Sequence, residues 1–127
     1  DGRVEHTLLG VLDASISPMG GRLLRRWLNR PLRDRAVLGQ RHHAVATFIE
    51  SGAHEALREA FRGLGDLERI LSRVALRSAR PRDLSTLRDG LAMLPSLRGL
   101  LAPLDSPRLA ALAAELGEHD EAAALLA

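Results

Sequence analysis

The chain has 127 residues, a formal net charge of +2 and no cysteine. That is one domain's worth of chain, long enough to bury a core without disulfides or metal, and it excludes disulfide frameworks and thiolate metal sites. All 18 basic residues are arginine, so a lysine-bearing phosphate loop and Schiff-base chemistry are excluded as well.

No apolar run approaches the roughly 18 residues of a membrane span, and no signal-peptide pattern opens the sequence, so a soluble protein is expected. Charge is unevenly placed. Residues 1–41 hold eight arginines against four acids, and residues 105–127 hold one arginine against five. The sequence begins at Asp1 without methionine and stops at "EAAALLA", inside a helix-forming apolar stretch. Such ends suggest a single partial domain, residues 1–127, cut from a longer protein.

The pattern is helical throughout: leucine, alanine and arginine dominate, and no stretch alternates with strand period. Thr7 can cap a short helix ending at Leu12. Ser17-Pro18 offers an N-cap followed by proline at the first helical position, and Ser106-Pro107 repeats the device. Asp34 can cap a helix to about Glu50, stopped by Ser51-Gly52. Ala53, Leu57, Ala60, Phe61 and Leu64 form the next apolar stripe, and Asp66 opens another helix carrying Leu67, Ile70, Leu71 and Val74. Pro81 restarts the chain, and Leu84, Leu87, Leu91 and Leu94 follow the spacing of a helix packed lengthwise on a partner. Pro95 predicts a kink or a restart there. The expectation is an all-α, irregular bundle of about six or seven helices.

Two basic features are the candidate DNA or domain interfaces. In "SPMGGRLLRRWLNRPLRD" (17–34), Arg22, Arg25, Arg26 and Arg30 fall within an arc of about 140°, opposite Leu23, Leu24, Trp27 and Leu28. The tryptophan therefore points away from the arginines of its own helix, which argues against an aromatic stacking platform for single strands. It favours a core helix with a wet basic side, and Gly20 on the apolar arc suggests close approach of a neighbouring backbone. In "DLERILSRVALRSAR", Arg69, Arg73, Arg77 and Arg80 align on one face with Leu76 among them. That row predicts either a solvated face or guanidinium groups paired with carboxylates of another element. Structural core positions are Leu23, Leu24, Trp27, Leu28, Phe48, Phe61, Ile70 and Val74.

Catalytic and metal readings are poor. His42 and His43 are adjacent and diverge on a helix, and Glu50 and His54 straddle the Ser51-Gly52 break. Glu115, Glu118, Asp120 and Glu121 suit a solvated helix end. No catalytic, cofactor-binding or metal-binding residue is assigned.

Three ordered segments, "TLLGVLD" (7–13), "SPMGGRLLRRWLNRPLRD" (17–34) and "GDLERILSRVALRSARPRDLSTLRDGLAMLP" (65–95), resemble the core or lever region, domain III, of MutS-type DNA mismatch-repair ATPases. The resemblance covers most of residues 7–104; from Asp105 onward only helical character agrees. It implies a structural and allosteric connecting module that couples DNA-binding elements to a distant ATPase. The fragment itself would be no enzyme and hold no cofactor, with ATP and magnesium belonging to the parent protein. Implied partners are mismatched double-stranded DNA, a second copy in a homodimer and a MutL-type protein, with no membrane. The implied location is the bacterial cytoplasm, associated with the nucleoid. Phe48-Ile49-Glu50 imitates the family's mismatch wedge, but in an amphipathic helix with Phe48 inward the match is accidental. Two other readings rest on residues alone: an autonomous basic helical nucleic-acid-binding module, and an adaptor using the Leu84/Leu87/Leu91/Leu94 face.

Overall fold

The computed structural model describes residues 5–127. Asp1 and Arg3, which enter the N-terminal charge count, lie outside the described residues. The chain forms α1 (Leu8–Leu12), α2 (Pro18–Asn29), α3 (Arg35–Ser51), α4 (Ala53–Arg62), α5 (Leu67–Ala75), α6 (Pro81–Leu101), α7 (Pro107–Glu115) and α8 (Asp120–Leu125). No strand occurs among the described residues. The all-α expectation holds, and α8 adds a short segment after the last predicted stripe.

Local chemistry sets the helix starts. Thr7, Ser17 and Asp66 place side-chain oxygens on backbone N–H groups of α1, α2 and α5, and Asp34 accepts from Ala36 at 2.9 Å and Val37 at 3.2 Å. Each satisfies donors that an open helix end would leave bare. Gly52 ends α3 in the left-handed region at φ 69°, where a side chain would be strained, and the chain turns directly into α4.

The core is built around α6. Leu87, Gly90, Leu94, Leu97 and Leu101 are buried on it at alternating spacings of three and four. Ala44 of α3, Leu57 of α4 and Leu109 of α7 join Leu94, Leu97 and Leu101 in one cluster, with Phe48 and Phe61 packed against it. Ile70 of α5 is buried as well. Gly90 lies where α5 comes closest: a Cβ there would stand 2.6 Å from the Leu67 side chain.

Several expectations are corrected by this packing. The restart predicted at Pro95 does not occur, because α6 runs unbroken from Pro81 to Leu101 with Pro95 inside it. An interior proline costs about 3 kcal/mol. Leu94, Leu97 and Leu101, buried on both sides of it at about 1.5–3 kcal/mol each, outweigh that cost. The adaptor face fails for the same reason: Leu87 and Leu94 are inside the chain's own core.

A further correction concerns α2, which buries no residue. Leu23 and Trp27, expected in the core, are each 40% exposed, and Leu24 and Leu28 are only half-buried. The helix packs on α1, not into the α3–α7 cluster. Val74 is also exposed, although it stands one turn from the buried Ile70 on the same side of α5. A strong apolar stripe shows that a helix has something to cover; it does not show what covers it. At Gly20 the nearest neighbours are side chains, not the backbone of another helix. Its closest surroundings are Ser17 and Ser15 of the preceding loop, and its N–H donates to the Ser17 hydroxyl at 3.1 Å.

Candidate functional site

The side chains singled out by the sequence fall into three groups. The first centres on Arg22. From the first turns of α2 its guanidinium reaches the start of α5, where Nη1 donates to Asp66 Oδ2 at 2.9 Å and Nη2 to Asp66 Oδ1 at 2.7 Å. Nε and Nη2 also donate to Glu68 Oε2 at 3.0 and 2.7 Å. This is fork-on-fork pairing with one carboxylate and a second carboxylate along the other edge, a geometry that lysine cannot make. The Arg22 fork holds the Asp66 carboxyl below the usual carboxylate range, and the Arg69 backbone N–H adds to the effect. Asp66 and Glu68 in turn hold the guanidinium proton more tightly than usual.

Trp27 completes the seam between α2 and the bundle. The Arg41 guanidinium of α3 stacks over its ring, 3.8 Å from the centroid. An arginine does therefore face the tryptophan, but it comes from the next helix, not from α2. Nearby, Arg58 of α4 donates to the Ala14 carbonyl in the α1–α2 loop at 2.9 Å. Spacing within α2 could not reveal these partners, because all of them are distant in sequence.

The second group is the expected row on α5, which the structure breaks. Arg69, Arg73, Arg77 and Arg80 do not share one face. The helix ends at Ala75, and Arg77 follows in the left-handed region at φ 54°. Ser78 N–H then closes on Arg73 O at 2.9 Å and Arg77 N–H on Val74 O at 3.0 Å. This paired closure reverses the chain, with arginine at the position that usually carries glycine. Arg80 instead sits before α6, where Asp83 Oδ2 accepts its backbone N–H at 3.0 Å. That bond, together with Arg73 and Arg80, keeps the Asp83 carboxyl below its ordinary value. Arg73 pairs with Asp83 and ties α5 to the first turn of α6. Arg69 makes a looser pair with Asp66 of its own first turn, at 3.6 Å. Leu76, which the sequence places among these arginines, is 78% exposed.

The third group comprises Arg25 and Arg26 of α2 and Arg30 just past its end, all three exposed. Arg25 lines a shallow pocket with Asp13, Arg22 and Arg69, and Asp13 lies below its ordinary value because the Ser15 N–H and hydroxyl bind it, with a smaller contribution from Arg25.

An apolar cavity of about 570 Å³ opens between α4 and α7, floored by Leu97 and Leu101 of α6 and flanked by Phe48, Phe61, Leu109 and Leu112. His54, Arg58 and Glu115 stand at its lining, but Arg58 is engaged by Ala14 O and His54 Nδ1 lies 3.0 Å from the Phe48 carbonyl. No group of three or more histidine or acidic side chains converges on a metal-sized site among the described residues. No helix of the described residues is long and apolar enough to cross a membrane.

The arrangement ties helices together at their ends through arginine. A family model of MutS domain III matches residues 1–126. The chain belongs to that family, the helical connecting region of MutS-type mismatch-repair proteins.

Proposed function

We propose that this domain is the structural and coupling body of a mismatch-repair protein, transmitting between DNA-binding elements and an ATPase located elsewhere in the parent. In this reading the domain performs no reaction and holds no cofactor. ATP and magnesium belong to the parent, which acts on mismatched duplex DNA as a dimer and with a MutL-type partner in the bacterial cytoplasm, near the nucleoid. The observation that carries it is the use of Arg22 and Arg73. Both spend their guanidinium groups on carboxylates of another helix, Asp66 with Glu68 and Asp83 respectively. Such ties fix the relative placement of helices, which a body that passes on movement requires.

The test is made in the parent protein with Arg73→Gln. This variant cuts the α5–α6 tie but leaves Asp83 bound to the Arg80 N–H. DNA affinity without nucleotide should stay within about twofold, while the change in affinity on adding ATP should shrink several-fold. An unchanged ATP response would contradict the coupling role.

The alternative of an autonomous nucleic-acid module draws on Arg25, Arg26 and Arg30, which are exposed along α2 and at its end. On that reading these three, with Arg77 and Arg80, would meet phosphates. Under the coupling reading they face other domains of the parent.

A further inference from the structure

We infer that α1 and α2 form an arm latched onto the α3–α7 bundle, with Arg22 as the latch, and that the arm detaches as a unit while the bundle stays folded. The inference rests on packing inside the chain and is independent of the coupling role proposed above. Neither α1 nor α2 contains a buried residue, whereas each of α3 to α7 contributes at least one. Regions with little buried apolar surface open at lower free energy than the core they lean on.

The polar contacts that join the arm to the bundle have one chemical character. Among the described residues, the hydrogen bonds and the ring contact across this seam are all made by arginine. Arg22 reaches Asp66 and Glu68, Arg58 reaches the Ala14 carbonyl, and Arg41 covers Trp27. The linker after α2, residues 30–34, is irregular and contains Pro31. It leaves the arm connected to α3 without a shared helix axis.

The consequence is selective sensitivity to salt and to a single charge. The Arg22 side chain is 32% exposed and that of Glu68 is 52% exposed, so ions reach both. Raising salt from about 0.1 M to 1 M shortens the screening length from about 10 Å to about 3 Å and weakens the seam. The leucine core around α6 contains no such pair and keeps its strength. Two populations therefore exist, latched and open, and anything that competes for Arg22 or for its carboxylates shifts them.

Trp27 is the sole tryptophan, and it lies on the arm against Arg41. Its fluorescence therefore reports the seam directly. Backbone hydrogen exchange, resolved by helix, and acrylamide quenching of Trp27 are compared between the natural chain and Arg22→Gln. Loss of the latch should speed exchange in α2 at least tenfold and raise quenching, with α6 exchange unchanged. The natural chain in 1 M sodium chloride should move the same way, and Arg22→Lys, which keeps the charge without the fork, should fall between. Glu68→Gln, which leaves the α5 cap on Asp66 untouched, should open the arm to a lesser degree. Unchanged exchange in α2, or equal loss of protection in α2 and α6, would overturn the inference. So would loss of the helical circular-dichroism signal in both Arg22→Gln and Glu68→Gln, since the latch is assigned no part in folding the bundle.

Discussion

Arg22 and Asp66 illustrate how one residue pair sets a measurable dependence on pH. The folded-state carboxyl of Asp66 titrates below its unfolded value, chiefly through its hydrogen bonds from Arg22. A group depressed in this way contributes stability above its unfolded pKa of about 4, and the contribution is lost as pH falls through the folded value. Asp13 and Asp83 are depressed in the same direction by the Ser15 and Arg80 backbone N–H groups. Thermal stability should therefore be flat from neutral pH down to about 4 and decline below it. Asp66→Asn keeps a capping oxygen for α5 but loses the charge. It should be less stable than the natural chain at pH 7, with the gap closing toward pH 2 and a shallower acid decline. Parallel declines in the two proteins would show that the pair contributes nothing. The effect is modest, because partly exposed pairs are screened by solvent.

At the scale of single helices, most starts and stops were legible because the signals are local. Thr7, Ser17, Asp34, Asp66 and Ser106 cap the helices that their positions predict. Three features were not legible, each for a different physical reason. The α5 arginine row assumed a helix through Arg80, but the turn at Arg77 ends it with a residue that normally avoids the left-handed region. Of the kink or restart expected at Pro95, the restart does not occur, because tertiary burial of its leucine neighbours outweighs the local cost. The apolar side of α2 was assigned to the core, yet no partner within the described residues buries it. Gly39 offers a test of α3 that touches no tertiary contact. It lies exposed inside that helix with nothing within 4 Å of a Cβ position. Gly39→Ala should stabilise the chain by about 1 kcal/mol, which calorimetry would register as a rise of roughly 4 °C in Tm. A lowered Tm would mean that α3 is not continuous there.

For the whole molecule, the family was legible in the ordered "TLLGVLD", "SPMGGRLLRRWLNRPLRD" and "GDLERILSRVALRSARPRDL" segments, and the match over residues 1–126 establishes it. The candidate site was legible only as a set of arginines. Which of them pair with Asp66, Glu68 and Asp83 depends on folding together segments 10 to 46 residues apart. Arg22 lies on the basic arc of α2 with Arg25, Arg26 and Arg30, yet it is bound to two acids of α5 and those three stand outside. Under the coupling role proposed above, the domain's arginines serve the placement of its helices and domains, and the domain does not itself read DNA. Fluorescence anisotropy of the chain with matched and singly mismatched duplexes, over a range of salt concentrations, tests this most directly. Binding should be weak, with affinities within about twofold for the two duplexes and a salt slope unaltered when Arg25, Arg26 and Arg30 are replaced together by glutamine. A mismatch preference of tenfold or more, or a slope that falls by about one unit for each arginine removed, would contradict it.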